Sequence, residues 1–379
     1  MKYKLITAGV LLCLCACENK IPMVNLGIDD VYVTERMKKI ILHPEFPGQY
    51  EWSAPDKNGN DSLVSTERDY IFIAELPGEY HLKLCIINRM NPVMHQTRIV
   101  VWEEQVAYSR YITQVYEYRP APGQLVNTMP LYEAGDTEET MRRKAQDSIS
   151  GINGGIISLG GFGGYVTFGF DHTVVNVSGK TDFKILGNAE PGIVMVSLDR
   201  NYNGIPDDEW YELAGSEYCK PETTHLYEIT YYKPASDTAP VYWSDNRGET
   251  GYIAKNINHS QNYYPQWLPL EQLTFSGTKL AGNAADWGYV NNYPNEWEDK
   301  ISFDINRAVN KNGNKVHLPG VDFIRVYTGL NRQCGQLGEI STELSCAEDL
   351  HVEVAGAPAA TVRYDGRNRT LFPAKAGIP

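Results

Sequence analysis

The residues best equipped for chemistry stand close together: Asp199, Asn201 and Asn203 at alternate positions, then Gly204, then Asp207-Asp208-Glu209. Oxygen-bearing side chains at this spacing, with a glycine permitting a sharp turn, match the opening of a calcium loop. Hard Ca²⁺ collects about six to eight oxygens from such closely spaced points. The spacing predicts structural Ca²⁺ on Asp199, Asn201, Asn203 and Asp207, although Trp210 stands where an EF-hand places its bidentate Glu. Asn and Asp side chains also hydrogen-bond their own backbone in metal-free turns, and that alternative stays open.

The element that must position this loop is the run Gly192–Leu198, apolar and β-branched enough for a buried strand. Further strands are expected at Tyr165–Phe170, Thr173–Val177, Asp182–Ile185, Leu226–Tyr232, Lys300–Ile305 and Asp322–Tyr327. One helix is expected, capped by Asp136 with Glu139 three residues later, its face made by Met141, Ala145 and Ile149. The glycine run Gly160-Gly161-Phe162-Gly163-Gly164 lacks the Lys-Ser/Thr of a phosphate cradle and precedes a strand. It reads as strands bending and packing closely.

Aromatic usage is skewed, with 25 Tyr and 7 Trp against 10 Phe, which favours rings carrying a polar handle, as exposed binding surfaces require. Many fall in the long loop-rich stretch holding Trp243, Tyr252, Tyr263, Tyr264, Trp267, Trp287, Tyr289 and Trp297. Part of this set must be core; the remainder supplies the candidate ligand-binding surface. A net charge of −13 without a basic cluster argues against a nucleic-acid partner.

Residues 1–16 read as a lipoprotein signal peptide: Lys2 and Lys4, an apolar run too short to span a membrane, then Leu14-Cys15-Ala16 before Cys17, the expected lipidation site. Past it, Cys85, Cys219, Cys334 and Cys346 form no CxxC pair, and Cys334 and Cys346 are close enough in sequence to pair in an oxidising compartment. Residues 17–104 alternate short strands with Gly, Pro and Asn turns, as in a sandwich. Residues 105–351 form a larger unit, and 352–379 is an unassigned Ala/Gly/Pro-rich tail. The expected class is all-β: an immunoglobulin-like sandwich, then a larger β-sandwich, jelly-roll-like, with one short helix.

The order Tyr50-x-Trp52, Ser65-Thr66, Pro77-Gly78-x-Tyr80-x-Leu82-x-Leu84 and Asn88 resembles a PKD domain. The blocks YITQVYEYRPAPGQLVNTMP, ISLGGFGGYVTFGFDHTVVNVSGKTDFKILGNA, EPGIVMVSLDRNYNGIPDDEWYELAGSEY and HLPGVDFIRVYTG resemble PKD-bearing cell-surface lipoproteins of gut Bacteroidetes. That resemblance spans about Tyr108 to His351. It implies an outer-membrane protein, lipid-anchored and facing outward, that captures a nutrient for a TonB-dependent transporter, with a corrinoid such as cobalamin as the leading ligand. Carbohydrate or glycopeptide binding by the same aromatic surface is the second reading. A glycoside hydrolase is the third, drawing on Asp207, Asp208, Glu209, Glu296, Glu298 and Asp299. With the acidic cluster explained by a turn or by calcium, no catalytic residue is assigned.

Overall fold

The computed structural model describes residues 25–352 except 57, 89–91, 190, 283–284, 336–337 and 340. The signal segment, Cys17 and the tail from 353 onward lie outside the described residues. Described residues divide into two compact units, one of 25–32, 41–70 and 81–98, the other of 33–40, 71–80 and 99–352. The fold is all-β, and among the described residues α-helix is confined to two short segments. No helix among the described residues is long and apolar enough to cross a membrane.

A five-stranded sheet orders Val31–Glu35, Val93–Trp102, Gly78–Ile87, Gln49–Pro55 and Asp61–Ser65. Alternation explains its buried face: Leu82, Leu84 and Ile86 point inward while their neighbours do not. In the smaller unit Trp52 is fully buried, stacked at 5.2 Å on Tyr70, with its indole N–H donating to the Glu67 carbonyl at 3.0 Å.

The larger unit holds three main sheets. Six antiparallel strands run Ala308–Val309, Trp210–Leu213, Gly192–Ser197, Phe323–Thr328, Tyr165–Gly169 and Gln114–Arg119. A second sheet orders Ser302–Phe303, Phe183–Ala189, Thr342–Asp349 and Ile157–Ser158. The third orders Thr250–Ile253, Val241–Asp245, Thr224–Tyr232 and Gln272–Lys279. Apolar residues of all three share one core, including Phe168, Val194, Ile229 and Leu344.

The main helix spans Glu138–Ile149, and Met141, Ala145 and Ile149 are its buried residues, as the spacing predicts. Its cap differs from the expected Asp136. Thr137 is the N-cap and forms a capping box with Thr140, while Asp136 accepts instead from Lys144 and the Glu133 backbone. Glu139 turns outward to Arg142 and Arg143. The expected strand Lys300–Ile305 is also corrected: a helical turn Glu298–Ile301 precedes the two-residue strand Ser302–Phe303, and a 3-10 turn follows at Ile305–Arg307.

The glycine run packs backbone on backbone. A Cβ at Gly160 would lie 1.9 Å from the Ala121 carbonyl oxygen, and one at Gly164 would lie 1.9 Å from that of Leu159. All four described cysteines are free, so the pairing that the spacing of Cys334 and Cys346 would allow is not made. Cys346 instead donates to the Gly151 carbonyl, and burial pushes its thiol up to about 11.

Candidate functional site

The loop after the strand Gly192–Ser197 does bring Asp199, Asn201, Asn203 and Asp207 together. Asp199 accepts from the backbone of Asn203 and Gly204, at 3.2 and 3.1 Å. The amides of Asn201 and Asn203 donate to the Asp207 carboxylate at 3.3 and 3.0 Å. Gly204 sits at φ +70°, the left-handed turn its position requires. For a hard cation the donor chemistry fits, since two carboxylates and two rotatable amides share one loop. Part of the local charge is already met by Lys39, whose ammonium lies 2.6 Å from Asp322 and 3.9 Å from Asp199. Among the described residues no cluster of three or more His, Cys, Asp or Glu is arranged to hold a metal.

The aromatic candidates separate sharply. Tyr263, Tyr264, Trp267 and Tyr289 are at most 4% exposed and belong to the core, so the surface role expected of them does not fit their placement. Two of the phenol hydroxyls are used internally: Tyr263 donates to the His259 carbonyl and Tyr264 to that of Leu270. Trp243 is half-buried against the core and covers Gly251, its cross-strand partner, where a Cβ would come within 2.6 Å of the indole. Trp287 is half-buried with the Arg307 guanidinium 3.8 Å over its ring. Trp297 is 52% exposed and stacks on Tyr293, while Tyr252 is 59% exposed.

Tyr252 is the end of a row that sequence reasoning missed. Tyr232 lies opposite Tyr242, and Tyr242 opposite Tyr252, so all three rings stand on one face of the third sheet. Ring centroids are 5.3 and 5.2 Å apart, and the planes are tilted by 36° and 56°. The adjacent row on that face is Thr274, Thr230, Ser244 and Thr250, all small hydroxyls. Thr230 and Thr274 bond each other at 2.9 Å, and Tyr232 reaches Ser244 at 3.0 Å. Alternation places Tyr231 in the core and Tyr232 outside, which a Tyr-Tyr pair in the sequence leaves undecided.

Two residues further along the same strands, Glu228 and Ser276 line a cleft of about 1060 Å³. Trp210, Glu212 and Tyr218 form part of its wall. Glu212 Oε2 accepts from the Thr278 hydroxyl at 2.6 Å, and its Oε1 is buried with no hydrogen-bond partner among the described residues. Burial pushes the Glu212 carboxyl up to about 7, against the Thr278 hydroxyl, which favours the anion. His225 Nδ1 lies 3.1 Å from Thr278 Oγ1, and its Nε2 lies 3.0 Å from the Tyr218 carbonyl. The sequence signal for Glu212 is a carboxylate between Tyr211 and Leu213, both buried. By contrast, Asp207, Asp208 and Glu209 lie on one loop and Glu296, Glu298 and Asp299 at or beside the helical turn Glu298–Ile301, and none lines the cleft.

No protein-family model matches the sequence, and no curated protein does. Among solved structures the chain is similar to a SusE-like protein at 10% identity and TM-score 0.25, over 83% of this chain and 94% of that one. A quinoprotein alcohol dehydrogenase-like protein from Bacteroides thetaiotaomicron matches at 13% identity and TM-score 0.17, over 60% of this chain and 39% of that one. A structure of carbohydrate-binding modules from the β-sandwich superfamily matches at 10% identity and TM-score 0.16, over 84% and 93%. Likenesses at these scores carry neither a family nor a function across to this chain.

Proposed function

We propose that this protein captures a glycan without transforming it, and that the ligand lies along the row Tyr232, Tyr242 and Tyr252. The observation that carries this reading is the pairing of an accessible tyrosine row with a parallel row of hydroxyls on one rigid sheet face. A sugar offers apolar C–H faces to rings and O–H groups to neighbouring hydroxyls, so the two rows meet both halves of its chemistry. A corrinoid is a broad flat macrocycle and would need one continuous flat face. Rings tilted by 36° and 56° do not supply it, and the carbohydrate reading is therefore preferred.

The lipobox ending at Cys17 supports attachment to a membrane through an acyl chain, with capture serving an outer-membrane transporter as the partner. Replacing Cys17 with Ala should abolish lipid labelling. Calorimetric titration with soluble oligosaccharides tests the ligand. Tyr252→Ala should weaken binding at least tenfold, as expected when an aromatic hot spot worth about 2 kcal/mol is removed. Binding of cobalamin with no response to any glycan would replace this reading, and release of shortened glycans would make the protein a hydrolase.

A further inference from the structure

The cleft lined by Glu212 is not used by the tyrosine row, although Glu228 and Ser276 join the two along one face. From Thr278 to Gln272 the strand covers roughly 20 Å at about 3.3 Å per residue, enough for several sugar units. A buried carboxyl oxygen without a partner is costly, and Oε1 of Glu212, a residue lining the cleft, is such an atom. Its other oxygen is fixed by Thr278, so the carboxyl cannot turn to satisfy both at once.

We propose that this cleft is a recognition subsite for one unit of the glycan, in which Glu212 Oε1 accepts a hydrogen bond from a ligand hydroxyl. The assignment rests on the glycan reading above and extends it by naming the group that selects. A neutral ligand suits the surroundings. Lys220 is paired with Glu217 at 2.8 Å, and the remaining cleft charges, Glu228 and Lys311, are opposite and both exposed. Trp210 adds a ring, although its face is shared with the Arg325 guanidinium 4.3 Å away.

Because a ligand O–H bonds more strongly to a carboxylate than to a neutral carboxyl, binding favours the ionised form of Glu212. With Glu212 near 7 when the cleft is free, affinity rises as pH rises through neutrality, by about tenfold between about pH 6 and about pH 8. The phenols facing Glu212, namely Tyr218, Tyr289 and Tyr327, are all pushed above their ordinary range by burial and take no part. Cys219 also borders the cleft, and a Cys219→Ser background removes its thiol from the titration. His225 lines the cleft and lies 3.1 Å from the same Thr278 hydroxyl, so its contribution is separated by substitution.

The test is calorimetric titration with linear and branched neutral glucans, mannans and xylans, at both pH values, on wild type, Glu212→Gln, His225→Asn and Tyr252→Ala. The proposal expects the tenfold rise in wild type and in His225→Asn, and one unchanging affinity in Glu212→Gln. Tyr252→Ala should weaken binding equally at both pH values. Wild-type binding indifferent to pH, or a rise that survives in Glu212→Gln, overturns the cleft assignment while a Tyr252→Ala loss keeps the glycan reading. No binding by any of these glycans removes both. If Glu212→Gln does not fold, Thr278→Val serves. Losing the hydroxyl that favours the anion should move the pH midpoint upward, and an unmoved midpoint would count against Glu212.

Discussion

His172 Nε2 lies 2.8 Å from Asp349 Oδ2, and neither side chain has any exposure. Nδ1 of the same ring lies 2.8 Å from Asp171 Oδ1, and Asp349 also accepts from the His351 backbone. Burial opposes the imidazolium, but the bonds and charges of Asp349 and Asp171 outweigh it and hold His172 above its ordinary value. The stability this contributes is fully present below the ordinary histidine range and is lost as pH rises through the folded-state value. Asp349→Asn should cost about 3–5 kcal/mol, as expected for a broken buried pair. Denaturant melts across the pH range should also show a flatter profile in that variant.

Two rings from the same loop-rich stretch should behave oppositely. Trp267 is 4% exposed and stacked at 5.8 Å on Tyr118, so Trp267→Ala should destabilise by about 3–5 kcal/mol. Tyr252 is 59% exposed, and Tyr252→Ala should change stability by only about 0.5 kcal/mol while reducing ligand binding. Thermal melts beside binding isotherms distinguish the two roles.

Much of the scaffold was legible because it follows period and composition. Gly192–Ser197, Phe323–Thr328 and the helix face of Met141, Ala145 and Ile149 all lie where apolar spacing puts them. The cap moved by one residue because Thr137 can reach the Thr140 backbone, leaving Asp136 to Lys144. Site residues were less legible for a physical reason. Whether a tyrosine is core or surface depends on strand register, and the row at Tyr232, Tyr242 and Tyr252 exists only after three strands align. Likewise Glu212 reads as an ordinary strand carboxylate until Thr278, far away in sequence, closes over it.

Glu339 supplies a second pH test, remote from the cleft lining. Its Oε1 accepts from the Gln124 backbone at 2.8 Å, and burial pushes its carboxyl up to about 8 from an ordinary 4.5. A raised carboxyl favours the folded state while protonated, so that stability is present below 4.5 and lost as pH climbs through about 8. Glu339→Gln should remove a loss on the order of a few kcal/mol over this window. Equal slopes in wild type and variant would refute it.

Calcium at the Asp199 loop is a proposal with a direct readout. Binding would rotate the Asn201 and Asn203 amides to present oxygen and would compete with Lys39 for Asp199. Added Ca²⁺ should raise the melting temperature, chelator should lower it, and Asp199→Ala should abolish both effects. A wild-type transition indifferent to chelator would leave the loop as a hydrogen-bonded turn with Lys39 as its counter-charge.

The tyrosine row crosses its strands, taking one ring from each of three neighbours. Adjacent strands in a sheet turn by roughly 20–25° in a fixed hand. A chain laid over Tyr232, Tyr242 and Tyr252 must therefore wind to keep each unit against its ring. For the proposed glycan, this face would discriminate by handedness as well as chemistry: a polymer with a natural helical curl would engage all three rings together, while a straight ribbon would leave the first or the last.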